Sequence, residues 1–182
     1  MKAGIILGST RQGRTGEPIA RWALECARAE WKDGEVTLLD LAEFPMPFVD
    51  SAIPPGGLQG KYPHQAVQNW AHVIAQLDAF IFVTPEYNHG YPAVLKNAID
   101  WLWDEWKGKP AGIVSYSSGP IGGARGAEQL KLVLSYVGLR VTPNHVHIGM
   151  AHGEMPEAAQ DFAGKALVGT LAEMQALQSA AH

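Results

Sequence analysis

The chain has 182 residues, of which 47% are hydrophobic, so it has the size of one ordinary domain and enough apolar residues for a full core. A formal net charge of −4 argues against bulk nucleic-acid or membrane-surface binding, and no run approaches the roughly 18–20 apolar residues of a transmembrane helix. The N-terminus enters a strand-like run instead of a signal peptide, and the single cysteine, Cys26, favours a reducing compartment, so we expect a cytoplasmic protein.

Short apolar runs alternate along the chain with amphipathic stretches of helical spacing. The first half is predicted to contain a strand at Gly4–Leu7, a helix at Thr15–Trp31, a strand at Val36–Leu39, a helix at Pro63–Leu77 and a strand at Ala79–Thr84. The second half is predicted to contain a helix at Pro92–Trp103, a strand at Ala111–Tyr116, a helix at Gly123–Val137, a strand at Arg140–Ile148 and a helix at Pro156–Leu177.

This alternation predicts a parallel sheet that is covered by helices on both faces. Five strands in one domain, residues 1–182, favour an α/β three-layer sandwich of the flavodoxin-like class with strand order 2-1-3-4-5. In such sheets ligands bind beyond the carboxyl ends of the strands, near the switch point between the first and third strands. The loops that follow the first, third and fourth strands should therefore meet at one edge.

One segment, Phe44–Tyr62, does not follow the alternation. It holds four prolines and three glycines together with several large apolar residues. Irregular segments of this length in a compact domain are often functional. We expect either a surface connection that wraps the domain, or a lid or contact with a partner subunit.

The loop Gly8–Gly16, "GSTRQGRTG", combines glycines, hydroxyl groups and two arginines directly before a predicted helix. Glycines let backbone amides crowd together, arginines donate to phosphate oxygens, and the helix N-terminus favours an anion. The loop lacks the Gly-Lys-Ser/Thr of a Walker A motif and does not fit G-x-G-x-x-G. It therefore predicts a phosphate site of another kind, the alternative being a solvated loop with two surface arginines.

The other two loops offer a ligand either flat aromatic side chains or exposed backbone. Thr84–Gly90, "TPEYNHG", offers an aromatic face beside Asn88 and Gly90, which tolerate left-handed backbone. Ser115–Gly126, "SYSSGPIGGARG", has four glycines through which a backbone can approach a ring closely. One loop suited to a phosphate group and two loops suited to a flat ring lie at a flavodoxin-like switch point, and together they indicate FMN.

The segment Thr84–Leu102, "TPEYNHGYPAVLKNAIDWL", contains every element of the pattern P-[EQ]-Y-N-x-[GS]-x-P-x-x-L-K-N-A-[IL]-D. By this segment, by G-S-x-R at Gly8–Arg11 and by G-G-x-R-[GA] at Gly122–Gly126, the sequence closely resembles the NADPH-dependent FMN reductases. These include quinone, azo and chromate reductases. The resemblance extends over most of the chain.

The resemblance implies three groups of FMN-binding residues and no catalytic side chain. The phosphate group would be bound by Ser9, Arg11, Arg14, Thr15 and Gly16. The isoalloxazine would be lined by Pro85, Glu86, Tyr87 and Asn88 on one side and by Ser117, Gly119, Gly122 and Gly123 on the other.

The resemblance also implies a ping-pong reaction in which NADPH or NADH reduces the flavin and a quinone or similar small acceptor then oxidises it. The other acceptors that the resemblance implies are azo compounds, chromate and free flavin. The alternative is a flavodoxin-type electron carrier that does not oxidise NAD(P)H directly. A homodimer or homotetramer is implied too, with Phe44–Tyr62 near the partner's site.

Several further residues carry weaker expectations. Within the motif, Leu95, Ala98, Ile99 and Leu102 should face the core, whereas Lys96, Asn97 and Asp100 would pair at a subunit interface. Interface surface and local packing are equal alternatives for Trp103 and Trp106. His89 is a candidate for contact with substrate or partner, and His145 and His147 suit the end of a strand better than a metal site.

Overall fold

The computed structural model describes residues 1–153 and 155–180, which form one α/β sandwich. Its strands are β1 Lys2–Leu7, β2 Glu35–Asp40, β3 Ala79–Pro85, β4 Pro110–Tyr116, β5 Arg140–Val141 and β6 Val146–Ile148. Its α-helices are α1 Gly16–Glu30, α2 Pro55–Leu58, α3 Gln65–Ala75, α4 Ala93–Asp100, α5 Ala124–Tyr136 and α6 Glu157–Ser179. Two 3-10 turns lie at Leu41–Glu43 and Asp104–Trp106.

The sheet is parallel and has the order β2-β1-β3-β4-β5, which confirms the predicted flavodoxin-like class. Strands β3 and β4 are buried along their whole length, because each lies between two sheet neighbours and is covered on both faces. One core cluster packs around Trp70, Phe80 and Trp106, and the other around Ile5, Ile19 and Ile81. Helices α1 and α6 contribute to the second cluster, and α3, α4 and α5 to the first.

The predicted last strand, Arg140–Ile148, is wrong as a continuous element. It is divided into β5 and β6, which both pair with β4, and residues 142–145 separate them. The Thr142 amide still donates to the Ala111 carbonyl of β4 at 2.9 Å, but Pro143 has no N–H with which to continue the pairing, and the Thr142 hydroxyl donates to the Asn144 carbonyl at 3.1 Å. The other predicted elements are all present, with ends that differ by up to about three residues.

The irregular segment Phe44–Tyr62 lies on α4 and contains the short helix α2. Asn97 anchors it, since its amide donates to the Pro47 carbonyl at 2.8 Å and its oxygen accepts the Val49 N–H at 3.2 Å. The indole of Trp101 also donates to the Pro47 carbonyl, at 2.7 Å. The segment is therefore held to the domain by side chains of the L-K-N-A-I-D-W motif.

One expectation about this region needs correction, and one open alternative is resolved. Asn97 is buried inside the chain instead of pairing at a subunit surface, and Lys96 pairs with Asp100 one turn away at 2.6 Å. Trp106 is fully buried among Trp70, Phe80 and Phe82, which settles its alternative in favour of local packing.

Leu95, Ala98, Ile99 and Leu102 are buried as predicted. Within the described residues, no helix combines the length and apolar character that crossing a bilayer requires.

Candidate functional site

The parallel sheet brings the loops after β1, β3 and β4 to one edge. Neighbouring strand ends are in register, with Leu7 beside Val83 and Pro85 beside Tyr116. Each loop begins where its strand ends, so the three loops predicted to bind the ligand lie next to each other. The predicted site residues are therefore gathered at the switch point between β1 and β3.

The first loop turns away from the sheet at Gly8, whose amide donates to the Val83 carbonyl at 2.8 Å. A methyl group at this position would lie 2.9 Å from Leu95 Cδ2 and 3.0 Å from that carbonyl oxygen, so a side chain would fit only if these neighbours shifted. Ser9, next in the chain, is completely buried, and its hydroxyl shares a hydrogen bond of 2.7 Å with the Tyr87 hydroxyl. The first and second loops are thus joined through two hydroxyl groups.

Helix α1 begins at Gly16 without a side-chain cap on its first-turn amides. The hydroxyl of Thr15, just before it, accepts the Gly153 N–H at 3.0 Å and keeps its own O–H to donate. Uncapped amides and the positive end of a 15-residue helix dipole form a site for an anion.

The two arginines of the first loop have different environments. The Arg14 side chain is only 12% exposed, donates from Nη1 to the Ser9 carbonyl at 2.8 Å, and pairs through Nη2 with Asp40. Arg11 is exposed, and its guanidinium makes no hydrogen bond or ion pair with the described residues. Arg11 is therefore available to an external anion, whereas Arg14 is already paired.

Two residues of this region were missed from the sequence, Asp40 and Tyr116. Tyr116 ends β4, and its hydroxyl lies so close to the start of α1 that a methyl group at Gly16 would clash with it. Burial raises the pKa of the Tyr116 phenol far above its ordinary value, while positive charge from Arg14 and Arg11 opposes that rise. The phenol is therefore a neutral hydroxyl at the base of the first loop.

The second loop contains a tight reversal at Asn88 and His89. The amide of Tyr87 donates to the Gly90 carbonyl at 2.8 Å, and the Gly90 amide donates back to the Tyr87 carbonyl at 3.0 Å. Asn88 and His89 have φ values of 48° and 74°, the left-handed pair of a two-residue hairpin turn. The left-handed backbone therefore falls on Asn88 and His89 and not on Gly90, contrary to the expectation for that glycine.

The second and third loops are joined by an ion pair. Arg125 Nε, in the first turn of α5, lies 3.1 Å from Glu86 Oε1. The second carboxylate oxygen of Glu86 is buried and has no hydrogen-bond partner among the described residues. Such an acceptor is costly to leave unpaired, so it suits a ligand that carries an N–H donor.

The third loop is packed against backbone on both sides of Gly122 and Gly123, which have φ values of 59° and 78°. A methyl group at Gly122 would lie 2.7 Å from the Ile148 amide nitrogen, and one at Gly123 would lie 2.8 Å from the Tyr116 carbonyl oxygen. These two positions therefore require glycine for both conformation and space.

The chain after β6 holds the third loop in place and was not part of the predicted site. The amide of Ala151 donates to the Ser117 carbonyl at 3.0 Å, and the Met150 amide donates to the Gly119 carbonyl at 3.2 Å. Since Gly153 also donates to Thr15, this short segment connects the first and third loops.

The histidines of the last strand lie beside the third loop without forming a metal site. His147 Nδ1 and the Ser115 hydroxyl share a hydrogen bond of 2.7 Å, and that hydroxyl donates to the Gly122 carbonyl at 2.7 Å. Ser115 is fully buried, so it has no access to a substrate. In the described ranges, no three or more His, Cys, Asp or Glu side chains are grouped to hold a metal ion.

A groove of about 860 Å³ lies away from these loops. Its walls include Val49, Pro54, Trp103, Leu132 and Tyr136, and Lys96 and Asp100 contribute charge. Leu132 and Tyr136 are 72% and 80% exposed, which is unusual for side chains of this size.

Comparison with known proteins identifies one family. The model of the family described as NADPH-dependent FMN reductase matches residues 1–153. A protein of Schizosaccharomyces pombe named NAD(P)H-dependent FMN reductase is 41% identical over 140 residues, which are 76% of this chain and 68% of the relative. An Escherichia coli protein named quinone reductase is 36% identical over 137 residues, which are 72% and 68% of the two chains.

The fold is also present in solved structures. The flavoenzyme FerB, an NAD(P)H:(acceptor) oxidoreductase from Paracoccus denitrificans, superposes with a TM-score of 0.77 at 24% identity. The alignment covers 96% of this chain and 97% of FerB.

Proposed function

The chain belongs to the NADPH-dependent FMN reductase family, so it is an oxidoreductase that uses FMN and NAD(P)H, and we propose that quinones or similar small molecules are its electron acceptors. Azo compounds, chromate and free flavin are the other acceptors of this proposal. The names of relatives such as the quinone reductase support the acceptor class. The observation that carries FMN binding is the convergence at one sheet edge of an uncapped helix start, two backbone-lined loops and Arg11, whose guanidinium has no partner among the described residues.

The residues at this edge fit FMN. The uncapped first turn of α1, the Thr15 hydroxyl and the Arg11 guanidinium supply donors for a phosphate group. The unpartnered oxygen of Glu86 suits an N–H donor such as the isoalloxazine carries. We propose that the whole chain, residues 1–182, is one FMN-binding domain.

Each predicted binding residue has a role in this proposal. Ser9, Arg11, Thr15 and Gly16 surround the phosphate group, and Arg14 shapes their loop. Pro85, Glu86, Tyr87 and Asn88 line one side of the ring, while Ser117, Gly119, Gly122 and Gly123 line the other.

Bound FMN would supply the redox chemistry, which is a two-electron transfer from NAD(P)H to the acceptor. The protein contributes position and electrostatics. The third loop packs closely against the backbone of Tyr116, His147 and Ile148, because Gly122 and Gly123 carry no side chain, and this packing would fix the loop beside the ring. The neutral Tyr116 phenol adds no negative charge beside the phosphate site. No acidic, basic or nucleophilic side chain is assigned to the reaction itself.

A ping-pong order is part of the proposal, in which NAD(P)H and the acceptor would use the same face of the flavin ring in turn. Initial rates measured at several fixed quinone concentrations should give parallel lines in a double-reciprocal plot. Intersecting lines would contradict this order. A flavin that is reduced only by a protein donor would instead indicate an electron carrier.

The phosphate assignment is tested with Arg11→Ala. Loss of a hydrogen bond to a charged group costs about 1.5–3 kcal/mol, so FMN should bind roughly 10–100 times more weakly. Riboflavin, which lacks the phosphate, should bind equally well to both proteins. Unchanged FMN affinity by titration of flavin fluorescence would refute the assignment. Arg21→Ala, an exposed arginine on α1, is the matched control.

We also propose that two copies associate through the groove beside α4 and α5. The Lys96–Asp100 pair gives the groove both signs of charge, which a second copy can meet with the same pair. Leu132→Glu should lower the sedimentation mass to that of one chain. Phe162→Glu, at a site 77% exposed and outside the groove, should leave the mass unchanged. A reducing, cytoplasmic location is proposed as well, since Cys26 has no second cysteine to pair with.

A further inference from the structure

Arg14 is folded back onto its own loop. Its Nη1 donates to the Ser9 carbonyl at 2.8 Å, and its Nη2 pairs with Asp40, 26 residues away. With a side-chain exposure of 12%, the guanidinium is largely withdrawn from solvent. Its planar fork contacts two acceptors at once, which a lysine ammonium cannot do in the same geometry.

Asp40 is a fixed point for this contact. It is the last residue of β2 and lies beside Leu7 in the sheet register. One carboxylate oxygen accepts the Ala42 N–H at 2.9 Å, and the other faces Arg14. The position of Arg14 is thus set by the neighbouring strand as well as by its own loop.

The charges oppose a simple electrostatic role for this pair. Asp40 neutralises Arg14 and places a carboxylate close to a site that is meant for a phosphate. If Arg14 acted only as a positive charge, Asp40 would weaken anion binding. The contact with the Ser9 carbonyl gives the pair a structural role instead. Gly8 is bonded to the Val83 carbonyl, and the next residue, Ser9, is bonded to Arg14, so both residues of the turn are fixed.

We infer that Asp40 is a positioning residue for the phosphate group of FMN and thereby favours FMN over riboflavin. It holds Arg14 against the Ser9 carbonyl, and this contact sets the path of the loop so that Arg11, Thr15 and the α1 amides face one point. The inference rests on the proposed FMN-binding function and deepens it. Binding experiments separate the two.

Asp40→Asn tests the inference directly. In either orientation of the new amide, its NH₂ group faces another donor, the Ala42 N–H or Arg14 Nη2. The FMN dissociation constant should rise at least about tenfold, while that of riboflavin stays within about twofold. Electrostatics alone predicts the opposite sign, because the substitution removes a negative charge. Glu43→Gln, at an exposed position three residues later, removes the same charge and should not weaken FMN binding.

Arg14→Lys is the second variant, in case Asp40→Asn does not give a native circular dichroism spectrum. It keeps the positive charge and loses the fork, so it should also weaken FMN binding selectively. The double variant should be no weaker than either single variant, since both break one contact. Isothermal titration with FMN and with riboflavin measures all five proteins, which are the wild type, Asp40→Asn, Arg14→Lys, the double variant and Glu43→Gln.

The outcomes are distinct. A wild-type protein that binds no FMN overturns the proposed function. If the wild-type protein binds FMN and Asp40→Asn binds it equally or more tightly, the proposed function stands and only the positioning role of Asp40 is overturned. Additive losses in the double variant, or equal losses for riboflavin, also overturn it.

Discussion

A methyl group added at Gly122 should destabilise the protein strongly, whereas one added three residues earlier should not. At Gly122 the φ value is 59°, and the new Cβ would lie 2.7–2.9 Å from backbone atoms of His147 and Ile148. At Gly119 the nearest atom is the Ser117 hydroxyl oxygen at 3.8 Å, an ordinary contact. Gly13 separates the two causes, because its φ is 63° but nothing lies within 4 Å.

The magnitudes follow from these environments. A left-handed backbone costs a residue with a Cβ about 1–2 kcal/mol, which is the whole effect expected for Gly13→Ala. Overpacking against backbone that cannot move adds about 1–3 kcal/mol at Gly122, for a total of about 2–5 kcal/mol. Gly119→Ala should change the free energy of unfolding by less than about 0.5 kcal/mol.

Urea unfolding of the FMN-free variants measures these differences, and thermal unfolding gives a second reading. For a chain of this length, about 1 kcal/mol corresponds to roughly 2–4 °C in the unfolding temperature, so Gly122→Ala should lose at least about 4 °C. The reasoning is refuted if Gly122→Ala is no less stable than Gly13→Ala. It is equally refuted if Gly119→Ala is destabilised as much as Gly122→Ala.

Three other changes test separate features. Asn97→Ala removes both hydrogen bonds to the irregular segment, so chymotrypsin should cleave after the exposed Phe48 several times faster. Burial lowers the pKa of His145 and of His147 in the folded protein below the ordinary value of 6.5. The stability that is present above pH 6.5 should therefore be lost as the pH falls through the folded-state pKa values of these two histidines. Replacing both histidines by asparagine should reduce that loss in urea unfolding between pH 7 and 5. Burial raises the pKa of Tyr91 from 10.0 to about 12, so stability should fall as the pH rises from 10 to 12, and less in Tyr91→Phe.

Exposed residues of the same types serve as controls. Asn69→Ala should not change the cleavage rate, and His72→Asn should not alter the profile between pH 7 and 5. Cleavage of Asn97→Ala at the wild-type rate would show that the remaining contacts, such as that of Trp101 with Pro47, hold the segment without Asn97. pH profiles that are identical in the variants and the wild type would contradict the two assignments of titrating groups.

The fold could be predicted from the sequence because its signals are local and agree with one another. Buried strands such as Ala79–Pro85 are continuous apolar runs, and the helices between them have clear apolar faces. The strand order then follows from the general rules for parallel sheets. The prediction of a continuous last strand overlooked Pro143, which lacks a backbone N–H and lies between the two pieces, and the hydroxyl bond from Thr142 to Asn144 could not be read from the sequence.

The candidate site was predictable as three loops but not as a set of contacts. Glycines and arginines mark the loops in sequence, whereas the partner of Arg14 lies 26 residues away, and nothing local identifies Asp40. Tyr116 is hidden for another reason. It ends an apolar strand and looks like a core residue, although its hydroxyl lies beside Gly16 in the first loop.

The divided last strand also limits how copies of this protein can meet. Beyond β4 the sheet ends in pieces of two and three residues, with Pro143 between them. Such an edge offers few consecutive backbone groups to an incoming strand, and proline offers no donor. Edge-to-edge sheet extension, the common route to fibrous aggregates, is therefore blocked on this side. The association proposed above uses the helical surfaces of α4 and α5 instead, where contact can stop at a closed pair.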